Sequence, residues 1–240
     1  MPAFPEAVAL DRAPGGATMT DTRPTMPVLS AHEMRGLLRS IYCDASMPAR
    51  ELAAWRPLIC PYEPVTRWVP PAAHVLDFGC GAGALLALLS ERRQIASGIG
   101  CDVSANAIAT AKAAQARLSR DVLEFRHIAD FRDIPADQFE TVVMIDVLHH
   151  IPPARQQEAI LAAARRVAPG GRLIYKDMTH HPFWRRWANT THDLLLSGQL
   201  VQYVAPDRVA SWAQDAGMTL LHAEDSARFV YGHQLRVFSR

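Results

Sequence analysis

The sequence Val75-Leu-Asp-Phe-Gly-Cys-Gly-Ala-Gly83 decides the fold of this chain. It begins inside Ala73–Phe78, a short apolar run that is typical of a buried strand, and the Ala/Leu-rich stretch after it predicts a helix from about Ala84 to Arg93. Glycines at such a turn let the backbone approach a ligand closely, because no Cβ stands in the way. In an open α/β sheet, ligands bind beyond the carboxyl ends of the strands. The turn is therefore the first candidate binding site.

Strands and helices continue to alternate downstream. Further strands are predicted at Ile95–Cys101, Val122–Ile128, Phe139–Asp146 and Arg172–Lys176, with helices at Ser104–Ser119 and Pro153–Ala168. This alternation predicts βαβ units and a parallel, doubly wound sheet. The last predicted elements are a helix at Ala205–Ala216 capped by Asp207, and two strands at Met218–Glu224 and Phe229–Phe238. The short link between these strands, Asp225–Arg228, allows only an antiparallel hairpin.

The expected fold is therefore an α/β, Rossmann-like sheet of seven strands. Five strands are parallel, a C-terminal antiparallel hairpin completes the sheet, and helices cover both faces. Residues 1–29, with five prolines and no continuous apolar run, are expected to form a disordered tail. Residues 30–71 are expected to form a helical leader or cap, in which Ser30 and Glu33 make a capping box and a second helix spans about Met47–Ile59. Residues 72–240 form the main domain, with a helical insert at about 178–204.

Composition limits the partners. The 240 residues include 25 Lys plus Arg and 24 Asp plus Glu, a formal net charge of +1, which argues against nucleic acid because a polyanion binder needs an excess of basic residues. The four cysteines show neither CxxC nor zinc spacing, so we expect free thiols, no metal site and a cytoplasmic location. No apolar run approaches the roughly 18 residues of a membrane-spanning helix.

Lys112 and Lys176 are the only lysines. We expect Lys176 either to pair with Asp177 or to meet an acidic acceptor.

Two ligand classes compete for the glycine turn. Gly79, Gly81 and Ala84 satisfy the relaxed dinucleotide fingerprint, with Asp102 at the distance of a ribose-binding acid, so an NAD(P)-dependent oxidoreductase is one candidate. Charge favours a different ligand. Asp77, Asp102 and Asp130 lie at three strand ends that carry no lysine or arginine in the sequence, and Asp77 would face a pyrophosphate unfavourably. A row of carboxylates suits a cation such as S-adenosylmethionine, which carries an ammonium, a sulfonium and a ribose diol.

Five segments resemble, in order, the motifs of the class I S-adenosylmethionine-dependent methyltransferases. They are Val75–Gly83, Gly100–Asn106, Ile128–Phe131, Phe139–Pro152 and Arg166–Leu173, within roughly residues 70–178. The most similar group is that of ubiquinone/menaquinone-biosynthesis and small-molecule methyltransferases. The resemblance implies S-adenosyl-L-methionine as cofactor and methyl transfer to a small molecule by in-line displacement. A methyltransferase-fold subunit without activity, assisting a partner enzyme, is the alternative from another class.

The resemblance also assigns residues to the donor, namely Asp77, Phe78, Gly79, Cys80, Gly81, Gly83, Asp102, Val103, Asp130, Phe131, Asp146 and Val147. Asp77 would hold the methionine ammonium, and the glycine turn would line the methionine and the ribose. Asp102 would accept both ribose hydroxyls. Asp130 would take the adenine amino group, with the Phe131 amide at the ring. Asp146 and Val147 would border the sulfonium and the acceptor. The alternative interpretation is that each Asp only caps the helix or turn that follows it.

The acceptor side is predicted from histidines and aromatic residues. His149 and His150 directly follow the fourth strand, and one of them is the candidate general base if the acceptor must lose a proton. The insert carries apolar residues near helical spacing, at Trp184, Trp187, Thr191, Leu194 and Leu195. Such a face would cover an apolar or aromatic acceptor, polyketide-like or quinone-like. Its alternative uses are to complete the core or to dock on a carrier protein or a membrane. Tyr42, Trp55 and Tyr62 of the leader are expected to close the other side.

Overall fold

The computed structural model describes residues 27–179, 203–228 and 231–240, and its strands form one sheet in the order β3-β2-β1-β4-β5-β7-β6. The strands are β1 Ala73–Phe78, β2 Ile95–Asp102, β3 Leu123–His127, β4 Phe139–Ile145, β5 Val167–Thr179, β6 Thr219–Arg228 and β7 Tyr231–Ser239. Strands β1 to β5 are parallel, and β7 runs antiparallel to both β5 and β6. The predicted fold class is confirmed.

Helices cover both faces of this sheet. They are α1 Ala31–Ile41, α2 Met47–Ile59, α3 Glu63–Thr66, α4 Ala84–Glu91, α5 Ala105–Gln115, α6 Pro153–Arg165 and α7 Pro206–Asp215. The leader, α4 and α5 pack on one face in a core that includes Val75, whereas α6 and α7 pack on the other with Leu76. Successive residues of β1 thus point to opposite faces, as a strand requires.

The leader begins as the sequence predicts. The Ser30 hydroxyl accepts a hydrogen bond from the Glu33 amide at 3.3 Å, and the Glu33 carboxylate accepts one from the Ser30 amide at 2.8 Å. This capping box satisfies backbone donors that the first turn of α1 would otherwise leave unpaired. The predicted tail and most of the predicted insert, residues 1–26 and 180–202, lie outside the described residues.

The predicted hairpin link is wrong. Asp225–Arg228 belong to β6, where Asp225 pairs with Gln234 and Arg228 with Tyr231, so the strand continues through the predicted link. The Asp225 carboxylate accepts a hydrogen bond from the Arg236 guanidinium at 2.8 Å. The polar residues of Asp225–Arg228, which are typical of a turn, thus lie in a strand, and the cross-strand ion pair between Asp225 and Arg236 helps to keep them there.

Four other bounds also differ from prediction. Helix α6 ends at Arg165 because Val167 already pairs with Phe139, so β5 starts five residues earlier than Arg172. Helix α5 ends at Gln115 and does not reach Ser119. The cap of α7 is Ala205, with Pro206 in the first turn, and Asp207 lies within the helix.

None of the helices in the described part of the chain is long and apolar enough to cross a membrane. Within the same residues, no group of three or more His, Cys, Asp or Glu side chains could hold a metal ion.

Candidate donor and methyl-transfer site

The glycine turn follows β1, the central strand of the parallel part of the sheet. Gly79 has a φ of +76°, and a Cβ at this position would lie 2.3 Å from a methyl carbon of Val147. Any side chain here would therefore collide with the loop after β4 and would also strain the backbone. The predicted residues Gly79 and Val147 are thus in direct contact, because neighbouring strands β1 and β4 end side by side.

Asp102, the last residue of β2, holds the turn in place. Its carboxylate accepts a hydrogen bond from the Gly81 amide at 2.8 Å and another from the Ser104 amide at 2.8 Å. Val103 beside it is exposed, and its carbonyl oxygen lies 3.1 Å from His127 Nε2. Asp102 therefore caps the turn that follows it and also contacts the glycine turn. Its interpretation as a capping residue is thus compatible with its interpretation as a ligand-binding acid.

Asp77 lies directly below the turn and is only 3% exposed. Burial raises the pKa of Asp77 to about 7, the negative charge of Asp102 adds to the increase, and Arg56 opposes it. A carboxylate is costly in such a place unless a cation compensates it. A positively charged group of a ligand would therefore stabilise the ionised Asp77 carboxylate. Phe78, in contrast, packs in the core on the α6 side of the sheet.

A cavity of about 330 Å³ opens between the glycine turn and the leader. Asp77, Gly79, Cys80 and Gly81 line one wall, and α2 and the first turns of α5 supply the others. Tyr62 also lines the cavity, as the sequence predicts. The Tyr42 hydroxyl donates a hydrogen bond of 2.5 Å to the Ala82 carbonyl oxygen within the turn.

Trp55 does not close the cavity. It is 43% exposed, and the Arg35 guanidinium lies 4.1 Å from its ring centroid. Its expected role on the acceptor side, opposite the insert, stays a prediction.

The leader also brings a positive charge that sequence analysis missed. Arg56 lines the cavity, and its guanidinium lies 3.3 Å from the Asp146 carboxylate at the end of β4. The prediction that this edge carries acids and no basic group is therefore wrong. Arg56 comes from a helix 21 residues before Asp77, and nothing in its spacing relates it to the strand ends.

Lys176 is a second cation at this edge, and unlike Arg56 it is almost completely buried. Its Nζ lies 3.0 Å from Cys60 Sγ and 3.3 Å from His233 Nδ1. The predicted ion pair between Lys176 and Asp177 is not formed, because consecutive residues of a strand point to opposite faces. Cys60 and Cys101 are buried free thiols, and Cys80 is a free thiol that is partly exposed.

Asp177 instead pairs with a histidine. His149 Nδ1 is hydrogen-bonded to the Asp177 carboxylate, and both side chains are almost completely buried. The Tyr175 hydroxyl donates to the same carboxylate at 3.2 Å, and the Met178 amide donates at 2.8 Å. A carboxylate at Nδ1 fixes the tautomer and leaves Nε2 as the proton acceptor. The structure thus adds Asp177 to the predicted site.

His150 has a different environment. It is exposed, with its ring centroid 4.0 Å from that of His149. Partial burial of the ring and the neighbouring His149 lower the pKa of His150 to about 4. His150 is therefore neutral at pH 7 and a weak base.

Asp130, after β3, is already engaged by arginines. Its carboxylate accepts two hydrogen bonds from the Arg155 guanidinium, at 2.8 and 3.0 Å, and two from Arg132, at 2.8 and 3.0 Å. The Arg155 guanidinium also lies 4.3 Å from the ring centroid of Phe131. These hydrogen bonds hold the pKa of Asp130 well below its usual range, Arg155 contributing most. The capping interpretation describes Asp130 in this structure, and only its Oδ2 keeps room for a further donor.

Open α/β sheets bind their ligands beyond the carboxyl ends of the strands, and this sheet has a glycine turn, two acids and a cavity at that place. A family model described as a methyltransferase domain matches residues 47–223. The chain therefore belongs to the methyltransferase-domain family. The resemblance to the class I S-adenosylmethionine-dependent methyltransferases is thus confirmed, and S-adenosylmethionine is the cofactor of that family.

Curated relatives cover part of the chain. The ubiquinone biosynthesis O-methyltransferase of Pseudomonas fluorescens (strain SBW25) is 26% identical over 152 residues, which are 61% of this chain and 64% of that protein. The enzyme of the same name from Alkalilimnicola ehrlichii is 29% identical over 158 residues, 61% of each chain. The chain thus matches less than two thirds of the length of these relatives.

Solved structures share the fold. Magnesium protoporphyrin IX methyltransferase from Synechocystis PCC 6803, with bound S-adenosylhomocysteine, has a TM-score of 0.62 at 21% identity, covering 85% of this chain and 94% of that chain. The N-methyltransferase NodS from Bradyrhizobium japonicum WM9, in complex with the same product, has a TM-score of 0.58 at 19% identity, covering 87% and 97%.

Proposed function

We propose that this protein transfers the methyl group of S-adenosylmethionine to an oxygen atom of a small apolar or aromatic acceptor by in-line displacement. One observation carries the donor part of the proposal. A buried acid, Asp77, and a guanidinium, Arg56, line the same cavity beside the glycine turn. A cavity with one group of each sign suits an amino-acid moiety that carries both an ammonium and a carboxylate.

The proposed donor contacts follow from this arrangement. Asp77 takes the ammonium and Arg56 the carboxylate. Asp102 uses each oxygen for one backbone amide, which leaves lone pairs on both oxygens for the two ribose hydroxyls. Asp130 Oδ2 and the Phe131 amide are assigned to the adenine, and Val147 to the neighbourhood of the sulfonium.

His149 is the proposed base. The bound donor supplies an electrophilic methyl group whose leaving group is a neutral thioether. His149 Nε2 takes the proton that the acceptor hydroxyl loses as its oxygen bonds to the methyl carbon, and Asp177 holds the ring and stabilises the imidazolium. Oxygen as the acceptor atom is supported by the curated relatives, which are ubiquinone biosynthesis O-methyltransferases. A quinone-like or polyketide-like ring fits the same chemistry.

The donor assignment is tested by calorimetric titration with S-adenosylmethionine, S-adenosylhomocysteine and NADH. We expect the first two to bind and NADH not to bind. Asp102→Ala should weaken binding of S-adenosylmethionine by about 1–3 kcal/mol, the usual contribution of hydrogen bonds to a charged group. Asp121→Ala, which changes an exposed acid before the start of β3, is the matched control and should bind normally. Unchanged affinity in Asp102→Ala would remove this residue from the site.

Catalysis is tested separately, because a subunit without activity could still bind the donor. Radiolabelled methyl groups should be incorporated into a small-molecule fraction of a cell extract, and a panel of phenols and catechols should identify the acceptor class. Donor binding without incorporation into any fraction would support the assisting-subunit alternative.

A further inference from the structure

The last turn of α2 meets the sheet through two side chains on one helix face. Arg56 and Cys60 are four residues apart, and the Cys60 amide donates to the Arg56 carbonyl oxygen at 2.8 Å. Residues with this spacing lie side by side on a helix. Arg56 contacts Asp146, which directly follows β4, and Cys60 contacts Lys176 on β5. The helix is therefore attached at the ends of two adjacent strands.

Asp146 is held in an unusual conformation at the first attachment. Its φ is +52°, in the left-handed region that residues other than glycine seldom adopt. Its amide donates to the Lys176 carbonyl oxygen at 2.8 Å, and its side chain is only 10% exposed. Backbone strain of this kind persists where the surroundings enforce it, often at functional sites. Here it turns the carboxylate toward Arg56.

Lys176 forms the second attachment and is 2% exposed. A buried ammonium is stable only when anions and acceptors surround it. Cys60 Sγ and His233 Nδ1 accept from it. Burial would raise the pKa of Asp146, but Lys176 and Arg56 together hold it well below its usual range. Asp146 therefore stays an anion between two cations.

We propose that Asp146 and Lys176 are positioning residues for the donor, fixing the last turn of α2 so that the Arg56 guanidinium is held at the donor cavity. This inference rests on the proposed role of Arg56 as the partner of the donor carboxylate. Neither Asp146 nor Lys176 needs to touch the donor. They act by restricting Arg56, which spares it the ordering that an unrestrained arginine would undergo on binding.

The test compares two ligands that differ only in the carboxylate. Calorimetry gives the affinities of S-adenosylmethionine and of decarboxylated S-adenosylmethionine, and their ratio reports the carboxylate contact alone. For the unmodified protein we expect S-adenosylmethionine to bind about 10- to 100-fold more tightly, as a charged hydrogen bond predicts. Arg56→Met should bring the ratio close to one. Asp146→Asn and Lys176→Met should each lower it by at least about threefold.

Asp44→Asn is the matched control. Asp44 forms an ion pair with Arg117 and so also joins the leader to the domain, but beyond the far end of α5. This variant should leave the ratio unchanged. Circular dichroism and thermal denaturation establish that each variant folds. If Asp146→Asn does not fold, Cys60→Ala, which removes the contacts of Cys60 with Lys176 and with Asp146, carries the same expectation.

The outcomes separate the two claims. A ratio that collapses in Arg56→Met but stays at the unmodified value in Asp146→Asn and Lys176→Met overturns the positioning role and leaves the proposed function intact. A ratio unchanged in Arg56→Met overturns the carboxylate contact itself, and the inference with it. Equal losses for both ligands in Asp146→Asn and Lys176→Met would show a structural role only, which also overturns the inference.

Discussion

At the scale of single residues, Asp77 shows how a binding site opposes stability. Its carboxylate is enclosed by protein, and its pKa of about 7 lies far above the ordinary value of about 3.9. Between these two pH values the folded chain holds a proton that the unfolded chain has released. The free energy of unfolding therefore falls as the pH rises from about 4 to 7. A bound cation would reverse this penalty.

Asp77→Asn should therefore raise stability while it weakens donor binding. At pH 8 we expect a gain in unfolding free energy of up to about 4 kcal/mol, which shrinks as the pH approaches 4, because both forms are then neutral. Thermal denaturation at pH 5 and pH 8, with and without S-adenosylmethionine, measures both effects. The unmodified protein should also bind the donor less tightly below pH 7. An Asp77→Asn variant that is less stable than the unmodified protein at pH 8 would contradict the conclusion that the ionised Asp77 carboxylate destabilises the fold.

The two adjacent histidines give a second residue-level prediction. His149→Gln should lower kcat by about 10²- to 10⁴-fold, the usual contribution of a general base, and remove the acidic limb of the pH–rate profile. His150→Gln should change kcat much less, because His150 is exposed and has a pKa near 4. Acceptors with more acidic hydroxyls should be less sensitive to His149→Gln. The opposite order of effects would identify His150 as the base.

At the scale of elements, the leader is part of the proposed donor site. Helix α1 precedes the family match, which starts at residue 47, yet the residue that ends it, Tyr42, is hydrogen-bonded to the glycine turn. Tyr42 is almost fully buried in the core that α1 shares with α4. The shape of the turn therefore depends on a helix outside the matched domain.

Tyr42→Phe should raise the Kd for S-adenosylmethionine about 3- to 30-fold, because the Ala82 carbonyl loses its partner and the turn is less well held. Thr66→Val is the control, since it removes the Thr66 hydrogen bond to the Glu63 carbonyl oxygen, which lies within the leader. It should lower the melting temperature without changing Kd. Equal donor affinity in Tyr42→Phe and the unmodified protein would show that the Tyr42 hydrogen bond does not contribute to the shape of the turn.

The strands and helices also show which features the sequence could predict and which it could not. The order of β1 to β5 and their helices follows from local apolar patterns, and the confirmed capping box from one Ser–Glu spacing. The hairpin link was misplaced because strand pairing, between Asp225 and Gln234, overrides local turn preference. Arg56 and the Asp177–His149 pair were missed for a related reason. These contacts join residues that are far apart in the chain, so no local sequence pattern predicts them.

At the scale of the whole molecule, the net charge is near zero, but acidic residues are concentrated at one edge of the sheet, where the parallel strands end. In sheet order, Asp130, Asp102, Asp77 and Asp146 stand at the ends of β3, β2, β1 and β4, as the sequence suggested. Arg155 and Arg56 compensate two of these acids, and Asp77 and Asp102 remain around the glycine turn. The negative charge available to a ligand is thus concentrated at two strands rather than spread over four.

The strand order has a consequence for aggregation. Strand β7 lies between β5 and β6 and pairs with both. Without β7 the outer side of β5 has no neighbour, and an uncovered strand edge invites pairing with other chains. Deletion of residues 231–240 would therefore leave two strands uncovered in a chain that still holds every residue of the proposed donor site. We expect such a product to be recovered from cells mainly as aggregate.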